Sequence, residues 1–227
     1  MTEARYTVLR PGVRITAQIE RKKSRFLTVL ERAETTEQAQ ELVEELRREH
    51  HSARHHCSAW AIGPDRRVQR ANDDGEPSGT AGAPMLEALT KAQMPSGEQD
   101  LSDAVGVVVR WFGGTLLGAG GLVSAYSDSM IAALQQAQAQ GAFLSRRRMR
   151  LFTLETPFAK AGRWENELRA IGAEVPCTDY AAVPGAAVMQ LAVQDEDASV
   201  DSLHSRVAAL TQGGGQLHPA GTTWVDL

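Results

Sequence analysis

The chain has 227 residues, 42% hydrophobic and only 5% aromatic, enough for one large domain or two modest ones with packed cores. Its net charge of −4, from 24 Lys and Arg against 28 Asp and Glu, excludes a general polycation, and no apolar run approaches the roughly 18 residues of a membrane-spanning helix. Cys57 and Cys177 form no CxxC pair and the start, MTEARYTVLRPGVRI, has no apolar signal core, so a cytoplasmic protein without disulfides, zinc or other cofactor is expected.

In chain order, YTVLRPGVRITAQIERKKSRFLTVLERAE predicts strands carrying Val8, Val13, Ile15, Ile19, Phe26, Val29 and Leu30. TTEQAQELVEELRREH then takes helical period: Thr35 and Gln38 suit a capping box, and Ala39, Leu42, Val43 and Leu46 share one face. CSAWAIG at 57–63 returns to strand, Gly63-Pro64-Asp65 marks a turn, and a helix is expected over about 84–93 with Pro84 in its first turn. AVGVVVRWF at 104–112 reads as a strand buried on both faces. The helix after the following glycines places Leu122, Tyr126, Met130, Ala133, Leu134 and Ala137 on one side.

Beyond Gly141 the pattern begins afresh as strand, helix, strand, strand, helix, strand, the ferredoxin-like order. Asp195, Glu196 and Asp197 stand where negative charge suits the start of the second of these helices. The expected division is an N-terminal domain over 1–141 and a C-terminal domain over 142–227, joined by the basic stretch near 141–149.

Three clusters carry candidate chemistry. RWFGGTLLGAGGLVSAY, 110–126, has glycines at 113, 114, 118, 120 and 121 between a strand and a helix. It matches neither GxGxxG nor GxxxxGK[ST], since Ala119 and Gly120 stand where the Lys and hydroxyl belong. What remains is an anion seat made of helix-start amides beside Arg110, or a tight crossover that lets a helix lie close on a sheet. The acidic stretch NDDGEPSGTAG, 72–82, offers Asp73, Asp74 and Glu76 to Mg²⁺, or forms a turn with Ser78 and Thr80 as helix caps. HHSARHHC holds His50, His51, His55 and His56, of which 51 and 55 suit zinc only if the segment is helical. Trp111 and Phe112 can stack a base or belong to the core. Two basic runs, RKKSR (Arg21, Lys22, Lys23, Arg25) and SRRRMR (Arg146, Arg147, Arg148), are candidate phosphate contacts against a background of solvated surface charge.

The blocks ARHHCSAW, DDGEPSGTAGAPML and VVVRWFGGTLLGAGGLVSAY, in that order and spacing, resemble the hallmark blocks of the IMPACT family in its bacterial YigZ-type form. The resemblance covers about residues 20–135. It implies an α+β protein: an N-terminal domain of the ribosomal-protein-S5 domain 2-like fold, with helices on one face of a sheet, and a ferredoxin-like C-terminal domain similar to the last domain of translocating elongation factors. It also implies a link to translation, because eukaryotic relatives restrain an amino-acid-starvation kinase. Leu116-Leu117 depart from the pattern, which has Lys within the glycine block in many relatives.

The leading expectation is a non-enzymatic, monomeric regulator of translation under stress that binds RNA, ribosome or a translation factor. Its surface would combine Arg110, the glycine block and the acidic turn, with the two basic runs adding non-specific phosphate attraction and steep salt dependence. Two alternatives stand beside it: an Mg²⁺-dependent enzyme acting on a phosphorylated metabolite, and a pure protein-interaction module.

Overall fold

The structure is a computed structural model and describes residues 4–227. Its contacts divide the chain into two compact units, Met1–Ser145 and Arg146–Leu227.

The first unit runs β1 (Arg5–Leu9), β2 (Ile15–Arg21), β3 (Ser24–Arg32), α1 (Thr36–Glu49), β4 (His55–Ile62), β5 (Val68–Asn72), α2 (Gly82–Lys91), β6 (Ala104–Trp111) and α3 (Ala119–Ala139). A sheet of order β2-β3-β6-β4-β5 forms its centre, every neighbouring pair antiparallel. Strand alternation in β6 decides what covers each face. Val105, Val107 and Val109 pack with Leu42, Val43 and Leu46 of α1. Ala104 and Val108 point the other way, into a core with Met85 and Leu89 of α2 and Tyr126 and Met130 of α3. Helices therefore cover both faces, where the family resemblance implied one; a strand apolar at successive positions has two faces to bury, each large side chain worth about 1.5–3 kcal/mol.

Helix α1 starts as its sequence suggests. The Gln38 N–H donates to Thr35 Oγ1 at 3.3 Å, and the Gln38 side-chain oxygen accepts from the Glu34 N–H at 2.7 Å. It ends at Glu49, so His51 and His55 do not share a helical turn and the spacing that suits zinc has no geometry behind it.

The second unit contains most of β7 (Phe143–Pro157), then α4 (Phe158–Arg169), β8 (Glu174–Val183), β9 (Ala186–Gln194), α5 (Asp197–Thr211) and β10 (Leu217–Asp226). Within it the antiparallel strands lie in the order β10-β7-β9-β8, the arrangement of a ferredoxin-like sheet. Trp164 and Leu168 of α4 and Leu203 and Val207 of α5 cover one face, on Phe152, Leu154, Met189 and Leu191.

The basic stretch expected to join the domains is instead strand: Arg146, Arg147 and Arg148 pair in register with Asp226, Val225 and Trp224 of β10. Arg148 and Arg150 both reach Asp195, Arg150 Nε at 2.8 Å, and Arg146 lies 3.5 Å from Asp226. Asp195 thus serves these arginines and not the start of α5, which begins two residues later.

Candidate functional site

The acidic turn follows β5, and its three carboxylates serve three separate purposes. Asp73 accepts from the backbone N–H groups of Gly79, Ala81 and Gly82 at 2.7, 3.0 and 2.8 Å. It satisfies the start of α2 from outside the helix, whose own cap residue supplies no side-chain bond. Burial raises its pKa, but the three N–H donors outweigh that and hold it below the usual carboxylate value. Asp74, in a left-handed conformation with φ 44°, accepts from the His56 N–H and from Arg47, each at 2.7 Å. Glu76 turns inward. The Mg²⁺ alternative therefore loses its ligand set to backbone and arginine partners, and no group of three or more His, Cys, Asp and Glu is placed to hold a metal among the described residues.

Glu76, with 4% of its side chain exposed, anchors a buried polar cluster. Its Oε1 accepts from Arg110 Nη1 and, at 2.8 Å, from the Tyr126 hydroxyl. Cys57 Sγ lies 3.3 Å from that hydroxyl and donates to the Asp73 carbonyl at 3.0 Å. Burial pushes both the thiol and the phenol far above their ordinary pKa values, so Cys57 stays protonated and is no nucleophile. His55 Nδ1 donates to the Asp74 carbonyl at 2.9 Å, and its Nε2 lies 3.8 Å from Glu76.

Arg110 was expected on an exposed face; it is 5% exposed. Alternation explains this, because Arg110 shares the parity of Val108 and points toward the α2–α3 side. Its guanidinium lies 5.3 Å from the Phe26 ring and 5.7 Å from that of Phe112, with Nη2 on Ser24 Oγ at 3.4 Å. Nε has no partner among the described residues.

Trp111 and Phe112 part company for the same reason. Trp111 turns to the α1 side, donating to Ser52 Oγ at 3.2 Å with the Arg25 guanidinium 3.8 Å over its ring and His50 edge-on at 5.4 Å. It is occupied there, which removes it as a stacking platform. Phe112 is 42% exposed.

The glycine block and the basic hairpin RKKSR meet. A side chain on Gly113 would put its Cβ 2.0 Å from the Lys23 carbonyl carbon and 2.4 Å from the Ser24 nitrogen, so only glycine allows this approach. The Gly113 N–H donates to Ser24 Oγ at 3.2 Å. Lys22 and Lys23, the two residues of the β2–β3 turn, have φ of 46° and 64°. Their side chains are exposed and make no ion pair among the described residues. Arg21, by contrast, reaches Asp128 at 3.2 Å. Gly114 is also left-handed, and Gly118 (φ 76°, ψ 166°) is the cap of α3, a helix with no side-chain cap and no acidic residue in its first turn. Gly120 and Gly121 lie in that turn.

Between the acidic turn and the glycine block is a cavity of about 320 Å³. It is lined by Glu76 and Pro77 of the acidic turn, by Phe112, Leu116, Leu117, Gly118, Ala119 and Leu122 of the glycine block, and by Arg54, His55 and Arg110. Glu76, Arg110, Phe112 and Gly118 are thus brought together, while Asp73, Asp74 and Trp111 stay outside. Sequence reasoning did not single out Arg54 or Pro77; the signal available for Arg54 was the ARHHC block, since pairing sets His55 opposite Arg110.

An antiparallel sheet covered by helices on both faces, followed by a ferredoxin-like unit, defines an α+β protein. A family model for the Impact N-terminal domain matches residues 22–134. The chain is 44% identical over 147 residues to the IMPACT family member YvyE of Bacillus subtilis, covering 65% of this chain and 63% of that protein. It is 48% identical over 132 residues to the IMPACT family member YigZ of Escherichia coli, covering 57% and 61%. The chain thus spans about three-fifths of the length of these curated relatives. Among solved structures, a crystal structure of a hypothetical protein matches with TM-score 0.62 and 33% identity over 95% of this chain and 97% of that one. The chain belongs to the IMPACT family. No helix among the described residues is long and apolar enough to cross a membrane.

Proposed function

We propose that this protein is a non-enzymatic regulator of translation that binds RNA through its N-terminal unit. The observation that carries the reading is the clamping of the Lys22-Lys23 turn against Gly113. It holds at the hairpin tip two ammonium groups that have no ion-pair partner among the described residues. Lysines in left-handed turns cost on the order of 1 kcal/mol each relative to Asn or Gly, so their presence at this tip supports a task other than folding. Exposed cations are suited to phosphate. The link to translation rests on the family and its eukaryotic members.

The test is sedimentation with ribosomes and with naked RNA across a salt series. Binding that weakens steeply between 50 and 200 mM salt, as it does when lysines displace counterions, and that is lost in Lys22→Glu/Lys23→Glu, is the expected result. Absence of binding at low salt, or binding indifferent to salt, overturns it.

A further inference from the structure

The geometry points to the cavity between Glu76 and Phe112 as a pocket for one unstacked guanine of a single-stranded RNA, a reading that rests on the RNA binding proposed above. Glu76 lines the cavity with its side chain almost wholly buried. Its Oε1 is taken by Arg110 and Tyr126. Oε2 has no partner among the described residues and is not sealed from solvent; on a cavity wall such a carboxylate oxygen takes a donor from whatever enters. Arg54, also on the wall, is exposed and its side chain is unpaired among the described residues. His55 and Arg110 also line it, and the rest of the lining is apolar, including the Phe112 ring and the Leu116 side chain, 42% and 82% exposed.

The ligand must therefore be flat, apolar on its faces, and carry N–H donors near one acceptor edge. Guanine alone among the four RNA bases has two adjacent donors, N1–H and N2–H, next to the acceptor O6. Adenine, cytosine and uracil each set an acceptor beside their donor, and that acceptor would confront the carboxylate. Arg54 suits O6 and N7, the groups arginine reads in guanine, and Phe112 supplies the stacking face. In a duplex the Watson–Crick edge is consumed, so the pocket takes only an unpaired base.

The test is fluorescence anisotropy of the full chain with labelled six-nucleotide uridine tracts containing one central G, A or C, or none, and with a hairpin holding G in its stem. The single-stranded G oligonucleotide is expected to bind roughly tenfold tighter than the other tracts. Phe112→Ala and Arg54→Ala, both at exposed positions, are expected to reduce it to the level of the all-uridine tract. Equal binding of the four tracts, or a G preference that survives both substitutions, overturns the guanine pocket and leaves the RNA reading standing. Failure of the unmodified chain to bind any tract at low salt overturns the RNA reading, and the pocket assignment falls with it.

Discussion

RKKSR at 21–25 and SRRRMR at 145–150 look alike as sequence, yet the first ends a hairpin with Lys22 and Lys23 free in solvent. The second lies within β7, where Arg148 and Arg150 converge on Asp195 and Arg146 on Asp226. The difference is partnership. Asp195, with 7% of its side chain exposed, needs the arginines that surround it, so those cations are spent on folding. Among the described residues the turn lysines pair with no carboxylate, and their left-handed turn is packed against Gly113. A basic run indicates a phosphate contact only once its carboxylate partners have been counted.

That contrast can be broken in graded ways. The largest expected effect is in Arg148→Ala/Arg150→Ala, which leaves Asp195 without a cation. The C-terminal unit should lose about 2–3 kcal/mol in urea denaturation, while RNA affinity of the folded chain stays as it was. A variant that binds RNA poorly but unfolds normally would reverse the assignment of the two runs. Next comes Lys22→Glu/Lys23→Glu. Stability should move by less than about 0.5 kcal/mol, whereas affinity for single-stranded RNA should fall at least about tenfold and the log–log salt slope should shrink by about 1.4.

A gentler replacement separates strain from charge. Lys22→Asn/Lys23→Gly places residues that accept positive φ into the same turn. It should raise the stability of the N-terminal unit by about 1 kcal/mol and still weaken RNA binding. If stability falls, the turn is not strained. The smallest effect is in acid. Burial alone would raise the pKa of Asp195, but hydrogen bonds from Arg150 and Arg148 outweigh it and hold it below the usual carboxylate value. A carboxylate lowered by folding contributes stability that is present above its unfolded value and lost as pH falls through the folded one. Asp195→Asn should therefore flatten the loss of C-terminal-unit stability below about pH 4, and Asp73→Asn, lowered by its three N–H donors, should do so for the N-terminal unit. Unaltered acid transitions would count against both assignments.

The elements of both units were legible because their periods are local: α1 shows its face in Ala39, Leu42, Val43 and Leu46, and all four are buried. That the glycine block and the acidic turn would share a surface was an expectation that no local period supported. The clamp on Lys23 was not, because it depends on β3 pairing with β6, which sets Arg25 opposite Trp111 across more than a third of the chain. Nor was the strand character of SRRRMR, since an arginine at nearly every position hides the two-residue period. Its partners, Asp195 and Asp226, lie far along the sequence. Arg110 was misjudged for a simpler reason. Its charge suggested solvent, whereas its parity with Val108 assigned it to the interior.

The burial of Cys57 beneath Tyr126, set against the exposure of Cys177 on β8, gives the molecule two thiol reporters with separate clocks. An alkylating reagent should capture Cys177 at once and reach Cys57 only when the N-terminal unit opens. The lag between the two labels would then measure how often that unit breathes, and occupancy of the neighbouring cavity should lengthen it.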